Sequence, residues 1–328
     1  MKWWSGWTSG PSGRWPMSPW TSDAGAVPLP GWIRSEDFWA DPASPLAAWP
    51  RPATDSLRLT WLGTACFLVE SASTTLLIDP FLSRPGLWTT LSAPLVPDER
   101  VLALWANVLP RPDALLVGHA HHDHALDAAP LARRLRTPLL ASPGALRLAR
   151  VQGLPQNLAE PVHGGLRRTI GDLEITWVPS AHAPLTTQRF VGGSVAPDPR
   201  PPLRLRDWRN DEVHGLRIRW RGRTIHHGGS AEVVGQAGEW APTDVLLFCM
   251  AGWTAAPGLL ERIRTILSPR VLIPMHHDDF FRPLARGYRP LAAARLPLAS
   301  RLWPRALPVT AFATANRYLQ SWTLQPAS

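Results

Sequence analysis

The chain has 328 residues, 45% of them hydrophobic, which is enough to bury one large α/β core. A formal net charge of +9 would ordinarily direct attention to nucleic acid or an anionic membrane. Here 33 of the 34 basic residues are arginine, spread along a chain also rich in Ala, Pro and Trp, a pattern of GC-biased coding; nucleic acid is not the expected partner, and no apolar run approaches the 18 residues of a membrane-spanning helix.

In chain order, residues 1 to 55 come first, with nine prolines, eight of the 18 tryptophans and little periodicity. They read as a poorly ordered Pro/Trp/Gly-rich extension whose tryptophans pin it to the rest, with Met17 as an alternative start of translation. Its first residues lack the continuous apolar stretch of a signal peptide, so a cytoplasmic location is the default expectation. From Ser56 to Ser328 the texture is that of a single domain. Runs at Leu57–Leu62, Cys66–Glu70 and Thr74–Asp79, separated by Gly63-Thr64 and Ser71–Ser73, predict an antiparallel meander. Beyond Pro80, helix-like stretches (Pro130–Arg136, Pro143–Val151, Leu259–Leu267) lie between strand-like runs at Leu115, Leu139, Glu174–Val178, Leu216–Trp220, Val245 and Val271–Met275. Such alternation implies sheets covered by helices. Cys66 and Cys249 each sit in an apolar run and are expected as buried, reduced thiols.

The run His119-Ala-His-His-Asp-His124 follows the strand-like Asp113–Gly118 and places metal-binding side chains on a strand-end loop. His119 and His121, two apart in extended backbone, reach one ion, while Asp123 and His124, past the bend, hold a second. Imidazole with carboxylate is the donor set expected for zinc, less often iron or manganese. His182, after Trp177–Ala181, and His276, after Val271–Met275, end two further strands and would complete both coordination shells.

With these residues in view, Leu57 to Phe281 resembles the metallo-β-lactamase superfamily. The carriers are Leu59-Thr-Trp-Leu-Gly-Thr-Ala-Cys-Phe-Leu-Val69, Leu77-Ile-Asp-Pro80, the His-x-His-x-Asp-His run, Ser180-Ala-His182 and Ile273-Pro-Met-His276. The first two are most similar to the branch containing ascorbate-6-phosphate lactonase and N-acyl-phosphatidylethanolamine phospholipase D. The resemblance implies a four-layer αββα sandwich with mixed sheets. It implies His119, His121 and His182 on one metal, and Asp123, His124 and His276 on the other. The superfamily usually bridges its metals with an aspartate; the corresponding segment here, His227-Gly-Gly-Ser-Ala231, offers Ser230, with Glu232 as the alternative bridge.

The expected activity is that of a zinc-dependent hydrolase using a metal-activated hydroxide on an ester, lactone or phosphodiester bond, with Asp123 orienting the water and taking its proton. The substrate is expected to be a small, anionic molecule. The alternative is a catalytically silent metal-binding member, suggested by Ser230. Asp79 and Asp127 are candidates to accept the spare N–H of a ligand histidine, with turn capping as the competing role. Asp244 is read as structural, His122 as solvent-facing, and His227 and His277 as possible pocket residues.

Overall fold

Residues 27–37 and 49–328 are described by the computed structural model, and their strands form two mixed sheets. The first sheet takes β1 (Ile33–Asp37), β2 (Leu57–Gly63), β3 (Cys66–Glu70), β4 (Thr75–Ile78), β5 (Ala114–Leu116), β6 (Leu139–Ala141) and β7 (Ala159–Pro161). The second takes β8 (Arg167–Ile170), β9 (Leu173–Pro179), β10 (His214–Trp220), β11 (Arg223–His227), β12 (Thr243–Cys249), β13 (Pro269–Met275) and β14 (Ala311–Phe312). The last strand, β15 (Gln320–Leu324), returns to the first sheet, giving the orders β1-β15-β2-β3-β4-β5-β6-β7 and β14-β13-β12-β11-β10-β9-β8.

Strand β12 shows why the layers form. All seven of its residues are buried, which suits a parallel strand covered on both faces. Val245, Leu247 and Cys249 point into the core between the sheets, while Leu246 and Phe248 point outward to a second core. That outer core is closed by α7 and α8 through Leu259, Ala299 and Trp303; before these helices in the chain come α1 to α6, and the ranges are α1 (Leu87–Ser92), α2 (Glu99–Val108), α3 (His122–Ala125), α4 (Ala128–Leu135), α5 (Pro143–Val151), α6 (Gln188–Val191), α7 (Leu259–Arg262) and α8 (Leu296–Ala306). Helices α2, α4 and α5 bury Leu102, Leu131 and Leu146 over the first sheet. Helix α5 begins where its sequence says it should: the Ser142 hydroxyl accepts from the Ala145 amide and Pro143 occupies the first turn. The architecture is the expected αββα sandwich.

The expectation of a poorly ordered extension through residue 55 fails for Ile33–Asp37, which pair with β15 at the edge of the first sheet. The partner strand lies nearly a whole chain length away, so no local pattern announces it. Two tryptophans of this stretch do pin it: the Arg223 guanidinium lies 4.2 Å over the Trp32 ring, and the Trp49 indole donates to both Glu70 oxygens at 3.0 Å. Residues 1–26 and 38–48 of the expected extension lie outside the described residues.

Candidate metal centre

Strand direction gathers the site. β4 and β5 are parallel, and β9, β11, β12 and β13 all run one way because β10 is antiparallel to both β9 and β11. Residues that follow their C-terminal ends therefore share an edge, the usual location of ligands on α/β sheets. The two sheets touch there: the His214 amide of the second donates to the Gly118 carbonyl of the first at 2.8 Å. Within the first sheet Gly118 donates its N–H to Asp79 Oδ1 at 2.7 Å, and within the second a Cβ on Gly229, whose φ is +65°, would stand 2.1 Å from the His214 carbonyl oxygen. Only glycine allows that approach, which brings the Ser230 loop against the first ligand loop.

Six side chains then form two groups of three: His119, His121 and His182 in one, Asp123, His124 and His276 in the other, the donor atoms of each group lying within 4.8 Å of one another. His119 Nε2 and His121 Nδ1 are 3.1 Å apart, and His276 Nε2 is 3.0 Å from Asp123 Oδ2. Donors on a tetrahedral ion with bonds of about 2.0–2.1 Å are separated by roughly 3.3 Å, so the spacing fits a divalent ion. The tautomers fit as well. His121 Nε2 faces the Val191 carbonyl at 3.1 Å, which only accepts, so this nitrogen carries the proton and Nδ1 presents its lone pair to the group. His124 Nδ1 donates to Asp79 Oδ2 at 2.8 Å and leaves Nε2 for metal.

Electrostatics separate the groups. Burial, then the neighbouring histidines, hold His119 well below the ordinary imidazole range; burial pushes His121 down to about 3 despite Asp123, and lowers His182. These rings are neutral and ready to ligate. In the second group burial also opposes charge, but Asp79 raises His124 above its usual value, and the His276 hydrogen bond with the surrounding imidazoles keeps Asp123 ionised.

The remaining predicted residues separate into braces and bystanders. Asp79 accepts from His124, a candidate ligand, whereas the Asp127 oxygens accept from the Leu82 and Ser83 amides and the Ser83 hydroxyl, so it is the turn-capping aspartate of the alternative reading. Ser230 is buried on the cavity wall beside the second group. Glu232 is excluded as a bridge because its carboxylate pairs with Arg262. His227 donates to the Ala65 carbonyl at 2.8 Å and lies under Asp79 rather than in the pocket. His277 is buried against Trp61, with ring centroids 4.9 Å apart, and likewise does not line the cavity. His122 is not solvent-facing; it is buried edge-on to Phe81. Asp244 is structural, accepting from the Thr224 amide and pairing with Arg223.

Sequence reasoning missed one arrangement. Asp278, two residues after His276, forms a fully buried ion pair with Arg84 at 2.7 Å, accepts from the Thr64 amide at 2.9 Å and from the Tyr318 hydroxyl at 3.0 Å. Arg84 in turn donates to the Thr64 hydroxyl, and the Thr64 carbonyl accepts from the His276 amide at 2.8 Å. This network fixes His276 in a left-handed backbone conformation, φ +58°. A lone arginine in Phe-Leu-Ser-Arg84 carries no local signal of that role.

A cavity of about 520 Å³ opens onto both groups, reaching His121, Asp123, His124, His182 and His276. Its walls come from α1, α6, the segment around Leu205, and the loops at Ala251 and Phe280, so the two regions between Leu82 and Leu109 and between Val191 and Asp211 shape it.

Two candidate three-donor groups lie at the common edge of an αββα sandwich, the arrangement of a metallo-β-lactamase-type metal site. The chain belongs to the metallo-β-lactamase superfamily: the pattern described as the beta-lactamase superfamily domain matches residues 58–276. It is 29% identical over 244 residues to a UPF0173 metal-dependent hydrolase of Anaeromyxobacter sp. (strain K), covering 71% of this chain and 79% of that one. It is also 29% identical over 230 residues to a relative of the same description in Methanopyrus kandleri, covering 68% and 85%. Among solved structures, Igni18, a metallo hydrolase from Ignicoccus hospitalis, shares the fold with TM-score 0.51 and 18% identity over 81% of this chain and 98% of that chain. CmlA, a diiron beta-hydroxylase from Streptomyces venezuelae, shares it with TM-score 0.50 and 18% identity, over 84% and 55%.

Proposed function

We propose that this chain hydrolyses an ester, lactone or phosphodiester bond of a small, anionic molecule with zinc as its metal. It is a metal-dependent hydrolase of the metallo-β-lactamase fold; the zinc, the bond class and the substrate charge are our reading. The observation that carries it is a cavity whose inner end is made of two groups of imidazoles and one carboxylate, all nitrogen or oxygen donors. His119, His121 and His182 would hold one ion, and Asp123, His124 and His276 the other. Such an ion supplies Lewis acidity and lowers the pKa of a coordinated water towards about 7. Asp123 lines the cavity with one oxygen on His276, so its other oxygen is available to orient a water and take its proton. Asp79 holds His124 in the ligating tautomer. Ser230 contributes a neutral hydroxyl where a bridging carboxylate would stand.

The motifs at Leu59–Val69 and Leu77–Pro80 support placement near the lactonase and phospholipase D branch. No helix among the described residues is long and apolar enough to cross a membrane. A cytoplasmic setting belongs to the same reading and rests on two buried, unpaired thiols. Elemental analysis of protein purified without added metal tests the centre, beside His121→Ala and with screening of esters, lactones and phosphodiesters. About two zinc per chain, halved in the variant together with loss of turnover, is the expected result. Iron in place of zinc would overturn the metal assignment and align the chain with the diiron neighbour. Full metal without turnover of any of the three bond classes would favour the silent metal-binder that Ser230 suggests.

A further inference from the structure

The walls of the cavity differ in character from its floor. Outside the donor groups, they are built mainly from apolar side chains, among them Leu87, Leu91, Leu185, Leu205, Phe280 and Phe281. The apolar surface continues past the mouth: Leu91 is 58% exposed, and Trp88 and Phe190, on the same short helices as lining residues, are 79% and 71% exposed. Exposed apolar side chains gathered at a cavity rim are uncommon on a monomer and mark a surface that something apolar covers. Against this stands one arginine in the lining, the exposed Arg295. Its backbone is held rigidly, in a left-handed conformation, with its carbonyl accepting from the Leu298 and Ala299 amides at the start of α8. Its guanidinium has no acidic partner among the described residues. The one carboxylate in the lining, Asp123, is engaged by His276. A polar sugar or nucleotide would leave these mainly apolar walls unmatched, with the Thr90, Thr187, Thr254 and Ser230 side chains alone to meet its many hydroxyls.

We infer that the substrate is amphiphilic: an ester or lactone with an apolar acyl chain lying along Leu87, Leu91, Leu185 and the Phe280–Phe281 pair, and a single anionic group meeting Arg295. This rests on the hydrolase reading and narrows it to a substrate class.

The test uses the metal-containing protein as purified and two readouts. Calorimetric titration with N-acylglycines from butanoyl to decanoyl measures the pocket without chemistry, and hydrolysis of p-nitrophenyl esters of the same chain lengths measures turnover. Affinity is expected to rise about three- to fourfold per added methylene, as for apolar surface removed from water. N-octanoylglycine should bind more tightly than its methyl ester, and Arg295→Gln should remove that preference, about three- to fivefold for an exposed charge, without changing the chain-length slope. Leu91→Ser, at an exposed position that does not endanger folding, should weaken decanoyl binding and leave butanoyl binding unchanged. Affinity independent of chain length in the acylglycines would overturn the inference even if esters are hydrolysed, leaving the hydrolase reading intact. A clear slope in binding with no hydrolysis would sustain the pocket and sink the hydrolase. Equal binding of acid and methyl ester would remove the anionic part of the proposal.

Discussion

The two metal-binding groups stand side by side yet are built on different principles. His119, His121 and His182 are neutral rings, two of them steadied by main-chain carbonyls: Val191 for His121 and Ala183, at 2.9 Å, for His182. The Val191 contact comes from α6, a four-residue helix next to exposed Phe190, so this group is coupled to the cavity wall. Asp123, His124 and His276 are instead surrounded by carboxylates and tied to the core. Asp79 holds His124, Asp123 is itself a donor, and the buried Arg84–Asp278 pair secures the turn that presents His276. The lesson is that similar donor counts do not make similar sites: one group can follow the substrate loops, while the other is rigid and negative and should retain its ion more firmly.

Arg84→Met strikes at this difference most strongly. Removing one partner of a buried ion pair leaves Asp278 uncompensated, at a cost of about 3–5 kcal/mol. Urea unfolding should show that loss, and metal analysis should show the ion of the His276 group depleted while the His121 group keeps its own. Arg84→Lys, which keeps the charge, should recover part of both. If stability falls but both ions are retained with unchanged affinity, the brace serves the core alone and the contrast between the groups is wrong.

Asp79→Asn probes the same contrast with less damage to the fold. The amide still fills the space but no longer offers a carboxylate to His124 Nδ1, and outer partners of this kind are worth about 10–100-fold in metal affinity. Competition against a chelator should show that loss for one ion of the two. An equal loss at both ions would mean that the groups are electrostatically one site.

Most of this centre was legible because strand-end histidines are spaced by local geometry. His119, His121, Asp123 and His124 need only one strand and one bend, and His182 and His276 repeat the motif of a strand running into small or special residues. Asp79 was legible from its position at the end of β4. What escaped the sequence depends on contacts across the whole chain. Tyr318 meets Arg84 and Thr64 meets Asp278 over more than two hundred residues, and β1 finds β15 over a longer span still. Asp127 shows a different failure: an aspartate three residues after a ligand can face the metal or the backbone, and the nearby Leu82 and Ser83 amides decided it. His122, outside the ligand template, reads as solvent-facing, but α3 begins there and turns it against Phe81.

Acid provides the last and mildest test, because it separates the ligand histidines from a bystander. His226, the penultimate residue of β11, is buried and is pushed down to about 3 by burial, with Arg217 and His227 adding to the effect. It lies in neither donor group. Because its folded pKa is below the unfolded value near 6.5, its contribution to stability is present above pH 6.5 and is lost as the pH falls from there towards 3, at about 1.4 kcal/mol per pH unit. Between pH 7 and pH 5 that amounts to roughly 2 kcal/mol from this one residue. The metal groups also lose their ions to protons over this range, but that component vanishes once the metal is removed. The metal-free protein should therefore still weaken on acidification, and His226→Gln should flatten its dependence by about the stated amount, measured as the difference between urea unfolding free energies at pH 7 and pH 5. If the variant keeps the full slope in the metal-free state, the acid sensitivity belongs to the donor groups alone, and the neutral group of His119, His121 and His182 is its source.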